Sequence, residues 1–163
     1  MLSSCTRQEL LDALSETQRM CAKNRMLALL ERRDMAKGEI SSRLALDGYP
    51  RFAQEYAMEV GKRCQLLDDE RFAERFAHSK MALGWGCKRI EHELYKRGID
   101  ASQLPGWPDD YVDVESEYDR ACEVARRKHV REPNAQAKLA RFLVGRGFSY
   151  GIALSVAKET LSE

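Results

Sequence analysis

The side chains of this sequence that could do chemistry do not form a recognisable active site. Three histidines, His78, His92 and His129, show no spacing of the kind that metal ligands share. No serine lies in a nucleophile motif, and no two cysteines stand at C-x-x-C spacing. The five cysteines are Cys5, Cys21, Cys64, Cys87 and Cys122. We therefore expect no catalytic residue, no metal and no cofactor, and reduced thiols in a cytoplasmic protein.

An acidic block invites a metal-site interpretation. Asp68, Asp69 and Glu70 are consecutive, however, and they directly precede an apolar helical stripe. At such a helix start, carboxylates accept hydrogen bonds from free backbone N–H groups and complement the helix dipole. We predict that they cap a helix, with Phe72 and Phe76 in its buried core.

A glycine-rich motif, Gly84-Trp85-Gly86, could suggest a phosphate-binding loop. It lacks the GxxxxGK[ST] spacing of such loops. We predict a tight turn between helices in which Trp85 packs between helical units. The alternative is that Trp85 is an exposed contact residue.

Charge is balanced overall but unevenly distributed. The 163 residues include 27 basic and 26 acidic ones, a net charge of +1, so no global attraction to nucleic acid is expected. Residues 109–119 contain six acidic and no basic residues, whereas residues 120–146 contain eight basic and two acidic ones. This asymmetry is consistent with a segment that faces a polyanion or an acidic protein groove, or with a solvated helix face.

These candidates must be positioned by a repeated pattern. An aliphatic residue, a Leu four positions later, a Gly after four more and then a large apolar residue occur three times. The copies are Ile40-Leu44-Gly48-Tyr49, Ile90-Leu94-Gly98-Ile99 and Leu139-Leu143-Gly147-Phe148. The aliphatic pair predicts the buried face of a helix, and the Gly predicts its left-handed C-terminal cap.

Further helices are predicted on both sides of these copies. After the first copy, Phe52, Tyr56, Val60 and Cys64 recur every four residues. After the third copy, Ser149 can cap the final helix, in which Ile152, Val156 and Leu161 are predicted to face inward. The third helix of the middle copy should be short, because residues 105–108 contain two prolines and a glycine.

The sequence therefore predicts an all-α fold of three tandem three-helix repeats in an elongated, curved array. The predicted boundaries are a leader at 1–19 that is helical or loose, repeats at 20–67, 68–108 and 115–163, and an acidic linker at 109–114. No segment alternates with period two, none is apolar enough to span a membrane, and the N-terminus does not resemble a signal peptide.

In this order, these blocks resemble the RecX family of recombinase regulators. The matching motifs are Arg32-Arg33 with the first copy, the Leu67–Ala73 block, Gly84-Trp85-Gly86 with residues 89–99, and residues 138–149. One departure is that Met35 and Ala36 stand where the family has a polar helix start. We expect a poorly capped second helix there, with Asp34 as a substitute cap.

The resemblance implies a cytoplasmic, non-enzymatic protein that binds the RecA recombinase filament on DNA. Such proteins inhibit its ATPase and strand exchange, and so modulate DNA repair, recombination and the SOS response. We expect a monomer that binds DNA only weakly and non-specifically. The predicted contact surface consists of Lys88, Arg89, Lys96, Arg97, Arg126, Arg127, Lys128, Arg131, Lys138, Arg141 and Arg146.

Two other functions remain open at this point. A helix–Gly–helix pattern also describes a helix-turn-helix, so a DNA-binding module is the first alternative. A helical-repeat scaffold for another partner is the second.

Overall fold

The computed structural model describes residues 6–113, 116–130 and 134–161. Within these residues the chain forms eight α-helices and no strand, which confirms the all-α prediction. The helices are α1 (Arg7–Leu30), α2 (Lys37–Leu46), α3 (Arg51–Arg63), α4 (Asp69–Ala82), α5 (Cys87–Lys96), α6 (Glu117–Arg126), α7 (Ala135–Gly145) and α8 (Tyr150–Thr160). A single 3₁₀ turn, Ala101–Gln103, stands where a short third helix of the middle copy was predicted.

The chain divides into two compact units, Met1–Phe72 and Ala73–Glu163. The division into repeats at 20–67, 68–108 and 115–163 stays a prediction. In the first unit, one continuous helix, α1, contains both the described part of the leader and the first helix of the predicted first repeat. A capping box closes its start, since Thr6 accepts from the Glu9 N–H and Glu9 from the Thr6 N–H.

The first unit packs α1 against α3 through small side chains. Ala53, Ala57 and Gly61 form the buried stripe of α3. The sequence predicted a different stripe, the set that runs every four residues from Phe52 to Cys64. These residues lie beside the buried stripe, and Phe52 is 38% exposed and Cys64 is exposed. The inward-facing stripe is thus displaced by one residue from the prediction, because small residues let two helix backbones approach closely.

The start of α2 is capped from a distant part of the sequence. Its N-terminal cap residue is Ala36, whose side chain cannot accept a hydrogen bond. The Lys37 N–H donates to Asp69 Oδ1 at 2.9 Å, and the Ala36 N–H donates to Glu39 Oε2 at 3.2 Å. The acidic block therefore serves two helices, because neighbouring Asp68 accepts from the Glu70 and Arg71 N–H groups in the first turn of α4.

The three repeated glycines end their helices as predicted. Gly48, Gly98 and Gly147 have φ values of +85°, +82° and +94°. In each copy the residue after the Gly donates its N–H to the Leu carbonyl five residues earlier, at 3.0–3.2 Å. This is the 6→1 hydrogen bond of a Schellman motif, which turns the following apolar residue back onto the helix.

The second unit has a core supplied by α6, α7 and α8. Leu139, Leu143, Phe148 and Val156 are among its fully buried residues. Ser149 caps α8 by accepting from the Ile152 N–H, as predicted. Leu161 was expected to face inward but is 46% exposed, because α8 ends at Thr160, before it.

Candidate functional site

The start of α5 donates hydrogen bonds to later parts of the second unit, and these bonds hold it in place. The N–H groups of Gly86 and Lys88 donate to the carbonyls of Arg146 and Gly147 at 2.9 and 3.1 Å. Between them, the Cys87 N–H donates to the buried carboxylate of Glu117 at 2.9 Å. These bonds satisfy N–H groups that a helix start otherwise leaves free, and they fix the 146–147 turn against α5.

This arrangement requires glycine on both sides of the contact. A β-carbon at Gly86 would lie 2.4 Å from the backbone of Gly147 and Phe148. The glycine motif at 84–86 is therefore a packing element, as expected from its lack of phosphate-loop spacing. The start of α5 and the 146–147 turn therefore lie in direct backbone contact. Two candidate contact residues lie beside this contact, Arg89 on α5 and Arg146 in the turn.

Trp85 lies at the centre of a cluster of aromatic and basic side chains. Its half-buried ring packs edge-on against Phe76, with centroids 6.5 Å apart. The Arg89 guanidinium carbon lies 3.9 Å from the Trp85 centroid, and Lys80 Nζ lies 5.1 Å from it. Arg97 lies 4.7 Å from the Phe76 centroid. Each is a cation–π contact, so the cluster combines basic groups with apolar packing.

The expectation of core positions for two phenylalanines needs correction here. Phe72 and Phe76 are half-buried, while Ala73 and Ala77 form the fully buried stripe of α4. Phe76 is only half-buried because the charged ends of Lys80 and Arg97 lie over its ring and remain near water.

Two of the predicted contact residues on α5 are paired with a carboxylate. Glu93 accepts from Lys96 Nζ and from Arg97 Nη1, both at 2.8 Å. Hydrogen bonds from Lys96 and then from Arg97 lower the pKa of Glu93 to about 2. Lys96 and Arg97 thus present less net positive charge than the sequence suggested, while Lys88 is exposed on the same helix.

A second basic cluster forms a cleft at the ends of α4, α6 and α7. The cleft encloses about 400 Å³ and is lined by Ala82, Leu83, Gly84, Val124, Arg127, Lys128, Phe142 and Arg146. Lys128 Nζ and the Arg146 guanidinium carbon lie 5.0 and 5.3 Å from the Phe142 centroid. Arg146 Nη1 also donates to the Leu83 carbonyl at 3.2 Å, which fixes this guanidinium at the edge of the cleft.

The structure therefore brings together some of the predicted contact residues. Arg127, Lys128 and Arg146 share the cleft, and Arg89 and Arg97 share the aromatic cluster. Arg126, Lys138 and Arg141 are exposed on α6 and α7, and none of them lines the cleft. Arg131 lies outside the described residues, as do Cys5 in the leader and Glu115 in the acidic stretch.

Sequence reasoning missed Lys80, Leu83 and Phe142 as parts of these clusters. Phe142 follows Arg141 in the third copy and precedes Arg146 by four residues, a spacing that places two side chains on one helix face. That spacing was the available signal. Nothing in the sequence pointed to Leu83, since its partners lie about 40 to 60 residues later.

Two further properties concern the described part of the chain. Residues 6–113, 116–130 and 134–161 contain no helix both long and apolar enough to span a bilayer. In the same ranges, no three His, Cys, Asp or Glu side chains are grouped so that they could hold a metal ion.

Comparisons with known proteins agree with this architecture. Residues 68–103 match the family model described as "RecX, second three-helix domain", and residues 115–156 match "RecX, third three-helix domain". The chain is 31% identical to Regulatory protein RecX of Chromohalobacter salexigens over 145 residues, 82% of this chain and 89% of that protein. It is 33% identical to Regulatory protein RecX of Mycobacterium avium, covering 83% and 82% of the two chains.

The fold itself has a counterpart in a solved structure. The crystal structure of RecX from Lactobacillus salivarius superposes with a TM-score of 0.74 at 22% identity, covering 88% of this chain and 97% of the other. The two family models, the curated relatives and this common fold lead to one conclusion: the chain belongs to the RecX family of regulatory proteins.

Proposed function

We propose that this protein binds the filament of the RecA recombinase on DNA and inhibits its ATPase and strand exchange. In this way it modulates recombination, DNA repair and the SOS response, as a cytoplasmic monomer without catalytic activity of its own. Membership of a family of regulatory proteins is the observation that carries the proposal.

The charge distribution of the second unit supports a polyanionic or acidic partner. Exposed basic side chains occur on three of its helices or directly after them: Lys88, Lys96, Arg126, Arg127, Lys128, Lys138 and Arg141. A nucleoprotein filament offers DNA phosphates, and charge complementary to them would speed the encounter. Weak, non-specific DNA binding through the same surface is part of the proposal.

The direct test is a titration of the purified protein into RecA hydrolysing ATP on single-stranded DNA. We expect the hydrolysis rate to fall with increasing protein. The control is the same titration at a DNA concentration that saturates RecA, so that competition for free DNA cannot cause the decrease. An unchanged rate with folded protein bound to the filament would contradict inhibition.

The composition of α8 argues against the alternative of a DNA-binding helix-turn-helix module. In such a motif the second helix reads bases in the major groove, usually with polar or basic side chains. Here α7, a short turn and α8 have that order, but α8 exposes Tyr150 and Leu154 and contains one basic residue, Lys158. The salt dependence of DNA binding tests this alternative. A DNA-binding module that makes six or more phosphate contacts should lose on the order of a thousandfold in affinity for DNA between 50 and 200 mM salt.

A further inference from the structure

The cleft at the ends of α4, α6 and α7 combines two properties in one place. Three of its lining side chains, Arg127, Lys128 and Arg146, are basic, and no acidic residue lines it among the residues that the structure describes. Its remaining surface is apolar and includes Leu83, which is 59% exposed. Arg127 Nη2 lies 3.7 Å from Glu123 Oε2, but both side chains are exposed and such a pair contributes little.

The geometry of these groups favours a peptide over a nucleic acid. A phosphate backbone is bound by cations and gains little from an apolar surface such as Leu83 and Val124. A nucleobase could stack on an aromatic ring, but Lys128 and Arg146 already lie over Phe142. An apolar side chain beside carboxylates, in contrast, would use both the apolar surface and the converging cations.

One side of the cleft is also fixed before any partner binds. Arg146 is held by its bond to the Leu83 carbonyl, and Gly84, with φ of +74°, lies so close to Val124 that a β-carbon would be 2.6 Å from Val124 Cγ2. A cavity of about 400 Å³ falls within the size range of largely preformed binding pockets. A bound segment would therefore lose little affinity to reorganisation of the cleft.

We infer that this cleft binds an acidic protein segment with one large apolar side chain. The apolar side chain would lie against Leu83, and flanking carboxylates would face Arg127, Lys128 and Arg146. Only the identity of the protein that carries this segment rests on the proposed function; the chemistry of the segment follows from the cleft.

The probe is a fluorescein-labelled peptide of twelve residues, all glutamate except one central phenylalanine, with binding followed by anisotropy. A second peptide has alanine in place of phenylalanine. We expect the first peptide to bind about fivefold or more tightly than the second, because only it can use the apolar surface. Equal affinity of the two peptides would overturn the inference, and so would a dissociation constant above about 1 mM for both.

Matched variants locate the site. Leu83→Asp and Arg127→Glu should each weaken binding of the phenylalanine peptide by about tenfold or more, through repulsion of its carboxylates. The controls make the same changes outside the cleft, in Leu46→Asp, at an 80% exposed position of α2, and in Arg126→Glu, next to Arg127. Leu46→Asp should change the affinity by less than about twofold, and Arg126→Glu should weaken it clearly less than Arg127→Glu does. Equal losses in variants and controls would reduce the effect to net charge and contradict a specific site.

Two further measurements separate this inference from competing explanations. The first measurement uses unlabelled oligothymidylate as a competitor. If it displaced the peptide from the parent protein and bound the Leu83→Asp variant with the same affinity as the parent, the cleft would be a phosphate site and the inference would be wrong. The second measurement is the RecA ATPase assay. If the parent and the Leu83→Asp variant inhibited RecA to the same extent, the proposed function would be supported, but RecA would not be the protein that carries the segment. A parent that binds the peptide without inhibiting RecA would support the cleft and reject the proposed function.

Discussion

A β-carbon on Gly147 would lie 2.3 Å from the Cβ of Arg89, closer than two such atoms can approach. Gly147 also has φ of +94°, which side chains rarely adopt. The third repeated glycine thus has two functions: it ends α7, and it allows the turn after α7 to contact the backbone of α5. The first copy differs, because a β-carbon at Gly48 would meet no atom of the described residues within 4 Å, apart from its two neighbours in the chain.

Gly147→Ala should therefore destabilise the protein strongly. We expect the free energy of unfolding to fall by about 2–5 kcal/mol, from strain at positive φ together with the clash against Arg89. Urea denaturation followed by circular dichroism measures this. The control is Gly145→Ala in the last turn of α7, where a β-carbon meets no described atom within 4 Å beyond its chain neighbours and the backbone of α7 itself. That change should stabilise by up to about 1 kcal/mol, and an equal loss in both variants would contradict the close approach.

Glu117→Ala tests the cap that α6 provides for α5. The change leaves the Cys87 N–H without its acceptor, so we expect a loss of about 1–3 kcal/mol in the free energy of unfolding. Glu117→Gln keeps a side-chain oxygen there and should lose about 1 kcal/mol less. If the two variants unfolded at the same urea concentration, the hydrogen bond would not be the source of the effect.

The stability should depend on pH through Glu93. Its folded pKa of about 2 is below the ordinary value of 4.5, so the ionised carboxylate stabilises the fold above pH 4.5. This contribution is lost as the pH falls from 4.5 towards 2. Because the group lies near the surface, we expect only a few tenths of a kcal/mol. Urea unfolding of the parent and Glu93→Gln between pH 2 and 6 should give a difference that shrinks towards low pH; a constant difference would disagree.

The cysteines should differ in reactivity. Burial, followed by the charges of Glu91 and Glu117, raises the pKa of Cys87 to about 11 from 9.0. At pH 8 this lowers its thiolate fraction roughly a hundredfold. Iodoacetamide should therefore modify the exposed Cys21 and Cys64 well before Cys87, as read by peptide mass mapping over time. Similar rates at all three would contradict the burial of Cys87.

The basic surface should contribute to RecA inhibition without supporting the fold. Replacing Arg126, Arg127 and Lys128 with Ala should weaken inhibition and make its salt dependence shallower, because fewer ionic contacts form. Removing Arg126 or Arg127 should each alter stability by less than about 0.5 kcal/mol, and removing Lys128, which lies over Phe142, by about 0.5–1 kcal/mol. A thermal melt and the ATPase titration measure the two effects. A folded variant that inhibits like the parent would indicate a merely solvated face.

The third-copy cations need a different design. Arg146 donates to the Leu83 carbonyl and stacks on Phe142, so its removal would disturb the fold as well as the surface. Lys138→Ala with Arg141→Ala is the cleaner variant, since both side chains are exposed on α7. Its weaker inhibition, with an unchanged melting temperature, is the expected result.

Local patterns in the sequence were sufficient to predict the three glycine-terminated helix ends and the start of α8. The three Schellman glycines and the Ser149 cap depend only on residues within five positions, which is why they could be recognised. The prediction placed the inward stripe of α3 one residue away because Phe52 and Tyr56 are larger than Ala53 and Ala57 and would bury more apolar surface. Only the partner helix decides that small residues must face it.

Long-range contacts could not be predicted in the same way. The acceptors for α2 and α5 are Asp69 and Glu117, which follow their donors by 32 and 30 residues. Nothing in the local sequence distinguishes these carboxylates from others at helix starts. The cleft likewise depends on which turn lies against α5, so the sequence could list its basic residues but not their grouping.

The hydrogen bonds at the start of α5 have a consequence for how repeats of this kind can be shortened or recombined. A chain cut after the middle copy would lose Glu117, Arg146 and Gly147, which supply the acceptors for three successive amides. The remaining helix would begin with those amides open to solvent and its first turn frayed. Similar sequence blocks are therefore not interchangeable building units here, because the last block completes the folding of the one before it.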